Sequence, residues 1–312
     1  MKTTQSQCSG TVLMVPPCHF GFNPETGRDN AFQHQPQLTT EALQQQAMAE
    51  FNTMVATLRQ QGIEVLLLDT HHASQPTPDA VFPNNWFSTT ANGQLVLYPM
   101  ATPNRQAEVQ PGPLTACLNA AGYQVRQQLD LRPQATPGQA LEGTGALVFD
   151  HRLGKVYAAR SQRCDPALFR LLPPSYQLVD FDTDCQGMPV YHTNVLLSIG
   201  EQFAVVCPEV IADAHRDRVL AELAEQRELI LISAQQMQAF AANLLQLRSK
   251  SGELLIALSA TAHQALLASQ RAQLSQYGRL LPCRVDTIEH VGGGSVRCML
   301  AEIFLPKVEG MA

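Results

Sequence analysis

Charge is scarce in this sequence. Asp, Glu, Lys and Arg make up 15% of it, against roughly 25% in an ordinary soluble domain. The formal net charge of −6 leaves no basic stripe for a nucleic-acid backbone. No segment approaches the ~18 consecutive apolar residues of a membrane span, and the opening MKTTQSQCSGTVLMVPP meets proline too early for a signal peptide. These absences predict a soluble cytoplasmic protein that engages neither nucleic acid nor membrane. Eight cysteines stand singly, without a CxxC pair or the dense spacing of a disulfide scaffold, so most are expected to be reduced packing residues. No HExxH or Cys/His spacing suggests zinc, the adjacent His71 and His72 included, and no GxGxxG follows a first strand. Neither metal nor cofactor is expected.

What is present is a large apolar fraction, 45% of 312 residues, enough to bury an extensive core. It is organised as a repeat. EALQQQAMAEFNTMVATLRQQ has apolar residues at helical spacing, ends at Gly62 and passes into the strand-like IEVLLLD. The same helix-to-strand unit returns with strand starts at 123, 176, 228 and 279, so that successive starts lie 60, 53, 52 and 51 residues apart. After each strand comes a second apolar segment opened by polar residues: PDAVFPNNWFST, EGTGALVFD, HTNVLLSIG, NLLQLRS and CMLAEIF. If the units are related by rotation about one axis, Asp79/Asn84/Asn85, Glu142, His192, Asn243 and Cys298 meet at one end of that axis. The competing architecture is an ordinary doubly wound parallel sheet, but paired strands within each unit argue against it.

VGGGSVRCMLAEIF carries the sharpest local signal, a glycine-rich turn that presents Cys298 at the start of an apolar run. A thiol beside Arg297 can be held as thiolate, the reactive form; it reads equally as a buried packing cysteine. His192 is the natural base and acid for such a nucleophile, and otherwise a structural histidine at a strand start. Glu142, before Gly-Thr-Gly, can orient that histidine or grip a substrate nitrogen, and otherwise is a loop-end carboxylate. Asp79, Asn84 and Asn85 surround the only tryptophan in a stretch that is also ordinary turn chemistry. Arg105 and Arg163 suit a substrate carboxylate, or the surface.

Together PPCHFGFNPETGRDNAFQ, PDAVFPNNWFST, LEGTGALVF, ARSQRCD, YHTNV and GGGSVRCMLAEIF resemble the pentein, or guanidino-group-modifying, superfamily over nearly the whole chain. That superfamily includes arginine deiminase, dimethylarginine dimethylaminohydrolase, agmatine deiminase and glycine amidinotransferase, and the closest resemblance is to bacterial citrulline-utilisation hydrolases. The resemblance implies one α/β domain over residues 1–312, a five-bladed pseudo-fivefold propeller of ββαβ modules. It implies Cys298 as nucleophile, His192 as general acid/base, Glu142 as active-site carboxylate, Asp79 as substrate-gripping aspartate, and Arg105 and Arg163 as holders of the substrate's amino-acid end. Asn243 joins the substrate-binding set by its place in the repeat. Dimethylarginine-cleaving relatives resemble V-F-V-Glu-Asp where this chain has VFPNN. Amides suit a neutral ureido group, with its carbonyl and N–H groups, better than a guanidinium that only donates. The expected partner is therefore a small ureido or guanidino amino acid, citrulline before arginine derivatives, converted to ornithine, CO2 and NH3. Deiminase or dimethylargininase activity, amidinotransfer and a non-catalytic propeller are the alternatives. A homodimer is expected from family analogy alone.

Overall fold

Short β-branched and leucine-rich runs such as VLLL, FAVV and LLIALS, each bounded by glycine or polar turns, form strands because such side chains pack on a pleated surface. A computed structural model of the chain describes residues 6–69, 75–172 and 176–308; the His71–His72 pair lies outside them. In chain order the strands are β1 (Thr11–Met14), β2 (Glu64–Leu67), β3 (Phe87–Thr89), β4 (Gln94–Leu97), β5 (Gln127–Asp130), β6 (Val148–Asp150), β7 (Lys155–Ala159), β8 (Gln177–Phe181), β9 (Leu197–Ile199), β10 (Phe203–Val206), β11 (Glu228–Leu231), β12 (Leu245–Arg248), β13 (Leu254–Ser259), β14 (Arg279–Cys283) and β15 (Ala301–Glu302).

They form five three-stranded sheets. In each, the middle strand pairs antiparallel with one neighbour and parallel with the other, as Phe87↔Leu97 and Val96↔Leu129 show for β3–β4–β5. A parallel partner requires a crossover. Helices Thr40–Gln60, Pro111–Ala120, Pro166–Phe169, Asp213–Ala224 and Ala268–Ser275 supply it in the five modules. This is the ββαβ unit expected from the sequence. One module is assembled from both ends of the chain, since β15 pairs with β1 through Val12↔Glu302, and this pairing closes the ring.

The middle strands carry unbroken apolar runs, buried throughout in β1, β4, β7 and β10, because both their faces are covered. Burial of each such Val, Leu or Ile contributes about 1.5–3 kcal/mol. The inner strands face the axis, with β6 against β9, β9 against β12 and β15 against β3. Modules are also joined by polar staples. Arg227, at the end of the fourth module's helix segment, holds Asp150 of β6 through two guanidinium nitrogens, both residues being buried.

Two details depart from expectation. The strand anticipated at Tyr123 begins at Gln127, because Gln124 N–H first donates to Pro306 and only then do Arg126 and Gln127 donate to Gly93. The polar openers do not start strands. Glu142 and His192 precede single helical turns, Gly143–Ala146 and Thr193–Leu196, while Asn84 and Asn85 end a 3-10 turn, Pro83–Asn85. Among the described residues no helix is long and apolar enough to cross a membrane.

Candidate active site

The openers of all five modules converge. His192 Nε2 lies 2.8 Å from Glu142 Oε2, with both residues buried. Burial raises the Glu142 carboxyl, but Arg163, the His192 hydrogen bond and Arg105 outweigh it, and the group sits well below the usual carboxylate range. An ionised carboxylate only accepts, so Nε2 carries the proton and Nδ1 of a neutral imidazole is left as a base. Burial lowers the His192 pKa, only partly countered by Glu142, which keeps the ring neutral. Gly145 packs directly on the ring: a β-carbon there would lie 2.8 Å from Nδ1 and overlap Asn85 Nδ2.

Cys298 is 2% exposed and receives two amide donors, Asn243 Nδ2 at 3.3 Å and Asn194 Nδ2 at 3.6 Å. Burial pushes the thiol up, while the Ser295 backbone and Asn243 pull the other way. Asn194 Nδ2 also reaches the Thr144 carbonyl at 3.2 Å, and Asn243 Nδ2 the Asn194 carbonyl at 3.1 Å. These bonds lock the sulfur's turn to the helical turns that carry Glu142 and His192. The glycines ahead of Cys298 each have a task. Gly293 closes helix Asp286–Gly292 at φ +63°, and Gly292 and Gly294 lie against the Phe82 ring, where a β-carbon would come within 2.8 Å. Arg297 turns its guanidinium to the Leu300 carbonyl (2.8 Å) and Glu302 (3.2 Å), and its charge still pulls the Cys298 thiol down as expected.

Asp79 is covered by a segment that sequence reasoning had used only for resemblance. Its carboxylate accepts from Asn23 Nδ2 (2.7 Å) and Thr26 Oγ1 (2.9 Å), while Gln33 and Asn30 of the same segment donate to the Gly292 and Gly293 carbonyls. Burial pushes Asp79 up, and likewise Glu108, to about 7, against the pull of Arg105.

The two arginines are both engaged by protein groups. Arg105 gives Nε to Glu108 (3.1 Å), Nη1 to Asn85 Oδ1 (2.8 Å) and Nη2 to the Phe82 carbonyl (3.2 Å). Arg163 holds Asp29 through Nε (2.8 Å) and Nη2, donates to the Thr26 carbonyl (3.1 Å) and lies over the Tyr191 ring. Both flank Glu142, at 3.7 and 3.6 Å. Their hydrogen bonds go to protein groups, Asp29 being half-buried, and stripping either guanidinium of its partners leaves an uncompensated buried charge at a cost of about 3–5 kcal/mol. Both guanidinium groups thus lie beside Glu142 while most of their hydrogen bonds go to other protein groups.

Asn84 is fully buried, and neither its Oδ1 nor its Nδ2 has a protein partner; Asn85 Nδ2 also lacks one. Sequence reasoning missed Asn194, Glu108, Asn23, Thr26 and Asp29. Asn194 had a signal in its place two residues after His192 in YHTNV, and Asn23, Thr26 and Asp29 lie in the resemblance-bearing PPCHFGFNPETGRDNAFQ. Among the described residues no three His, Cys, Asp or Glu side chains gather as a metal ligand set.

A ring of five ββαβ modules with cysteine, histidine and carboxylate converging at one end of its axis defines a pentein-type guanidino-group-modifying enzyme. The family of eukaryotic N,N-dimethylarginine dimethylhydrolases matches residues 16–305, and the chain belongs to this family, whose hydrolases act on non-peptide C–N bonds. Among solved structures it is similar to ArgZ, an arginine dihydrolase from the ornithine–ammonia cycle in cyanobacteria, with TM-score 0.72 and 15% identity over 96% of this chain. It covers 41% of that protein, so it spans about two-fifths of that relative's length. The ArgZ N-terminal domain, a cysteine-to-serine variant bound to substrate, matches at TM-score 0.67 and 16% identity, over 95% of this chain and 99% of that one. A dimethylarginine dimethylaminohydrolase adduct with S-methyl-L-thiocitrulline matches at TM-score 0.64 and 13% identity, over 95% of this chain and all of that one. No curated protein sequence matches the chain.

Proposed function

We propose that this chain is a cysteine hydrolase of a ureido amino acid, converting citrulline to ornithine, CO2 and NH3. The observation that carries the substrate choice is Asn84, buried with both ends of its amide unpartnered. Leaving buried polar groups unpaired costs about 1–3 kcal/mol each, so this amide is complemented by a ligand offering both an acceptor and a donor. A ureido group has both. A guanidinium has only donors and leaves Nδ2 facing like groups.

In this reading His192 Nδ1 takes the Cys298 proton as sulfur attacks the ureido carbon, and the imidazolium is held by Glu142. The proton passes to the departing amine, which leaves as ornithine. Water then breaks the C–S bond of the S-carbamoyl adduct, releasing carbamic acid, which decomposes to CO2 and NH3. Asp79 grips the substrate, Asn243 steadies the sulfur, and Arg105 and Arg163 position Glu142.

A second reading, an arginine or methylarginine substrate, is favoured by Asp79 and Glu108, whose raised pKa values mark carboxylates that a bound cation would relieve. Purified protein incubated in parallel with citrulline, arginine, dimethylarginine and agmatine, with ornithine and ammonia followed, decides between them. Citrulline should be turned over fastest, and Asn84→Glu with Asn85→Asp should move preference toward arginine. Faster arginine turnover by the parent protein would refute the ureido assignment. Homodimerisation belongs to the same proposal and is checked by sedimentation equilibrium.

A further inference from the structure

Behind the sulfur, on the axis of the ring, runs a cavity of about 630 Å³. Each module contributes to its wall from its inner strand: Thr89, Phe149, Ser198, Leu245 and Glu302. One end opens between the exposed hairpin residues Ala91, Asn92 and Arg152. The other end is lined by Thr144 and Asn194. Thr144 is partly exposed although its neighbours Glu142, Gly143 and Gly145 are buried, so solvent reaches it. Asn194 touches both compartments, lining the cavity while its Nδ2 lies 3.6 Å from Cys298 Sγ.

The opposite side of the sulfur is closed. Cys298 and His192 are 2% and 3% exposed, and residues 23–33 are fastened over the site by Asp79, Arg163 and the Gly292 and Gly293 carbonyls. Toward the cavity stands the Asn194 side chain, whose Nδ2 donates to the Thr144 carbonyl at 3.2 Å, while the Asn194 carbonyl accepts from Asn243 at 3.1 Å. The cavity wall also carries two buried polar atoms without a partner, Ser198 Oγ and Glu302 Oε1. Such atoms call for a polar guest, and at ~30 Å³ per molecule the volume holds on the order of twenty waters.

We propose that the axial cavity is the route by which hydrolytic water reaches the Cys298 adduct, and that Asn194 is the residue it passes. This rests on the covalent mechanism proposed above. While the substrate's amino-acid end fills the side under residues 23–33, water enters from behind. Its oxygen bonds to the adduct carbon, the C–S bond breaks with its electron pair on sulfur, and a water proton returns to the thiolate. The resulting carbamic acid breaks down to two small neutral products that fit the same passage.

Plugging the cavity away from the sulfur tests this. Ser198→Leu and Leu245→Phe each enlarge a residue that lines the cavity, so two independent plugs are available should one fold poorly. Rapid-quench mass spectrometry with citrulline resolves adduct formation from breakdown. The expected result is an unchanged burst of adduct on Cys298 followed by breakdown slowed at least tenfold, with Ser198→Ala behaving as the parent. Breakdown at the parental rate in a folded plugged variant would overturn the conduit while leaving the covalent mechanism standing. No adduct in the parent itself, with citrulline or arginine, would overturn both.

Discussion

Gly145→Ala is a one-methyl change at the centre of the site, and its consequence can be worked from the contacts. The added carbon would lie 2.8 Å from His192 Nδ1 and Cε1 and overlap Asn85 Nδ2. Neither neighbour is free to yield. Asn85 Oδ1 accepts from Arg105 at 2.8 Å, a charge-assisted bond worth about 1.5–3 kcal/mol, and the imidazole is tethered to Glu142 at 2.8 Å. Relieving the overlap requires movement on the order of 1 Å, which in catalytic geometry costs roughly 10²-fold in rate, or about 2.7 kcal/mol. The stability cost is that of an overpacked site, about 1–3 kcal/mol, which a domain this size withstands. The variant should therefore fold, melt a few degrees lower, and show kcat/KM for citrulline reduced about a hundredfold. Gly21→Ala is the control, since nothing lies within 4 Å of its β-carbon position and its φ is outside the left-handed region, and it should be near neutral. Steady-state kinetics and thermal unfolding on both proteins suffice. Gly145→Ala activity within threefold of the parent would refute the role assigned to His192.

Other predictions follow from the same structure. Because burial raises the Cys298 thiol and lowers His192, kcat/KM and the rate of iodoacetamide alkylation should climb as pH rises above neutrality; Asn243→Ala, which removes a donor 3.3 Å from the sulfur, should move the alkylation midpoint to higher pH. Arg227→Ala strands buried Asp150 and should lower stability by about 3–5 kcal/mol in urea unfolding, with Asp150→Asn in the same chain recovering part of the loss. Burial, with Arg297 nearby, pushes His151 down to about 3, and a depressed folded-state imidazole contributes stability that is present above its unfolded pKa near 6.5 and lost as pH falls toward 3. His151→Gln should therefore narrow the stability gap between pH 7 and pH 5 by about 1 kcal/mol, allowing for screening in the solvent-lined cavity. An unaltered gap would contradict that account.

The sequence by itself determined the ring. Hydrophobic period and turn residues are local properties, so the helix-to-strand unit could be read five times, and a repeat near fifty residues already implied a shared axis. The same reasoning placed Glu142, His192, Asn243 and Cys298 together, since equivalent positions in rotated units must converge. Its errors were also local ones: Tyr123 looks like a strand residue, but the chain is first drawn to Pro306, far away in sequence. Tertiary structure alone decided which polar groups are committed. Arg163 is free in sequence and bound in the fold, because Asp29 lies 134 residues away, and Asn30 meets Gly293 across 263 residues. No local pattern encodes such pairings, since they are set by which side chains the closed ring brings face to face and by the energetic cost of leaving any of them buried without a partner.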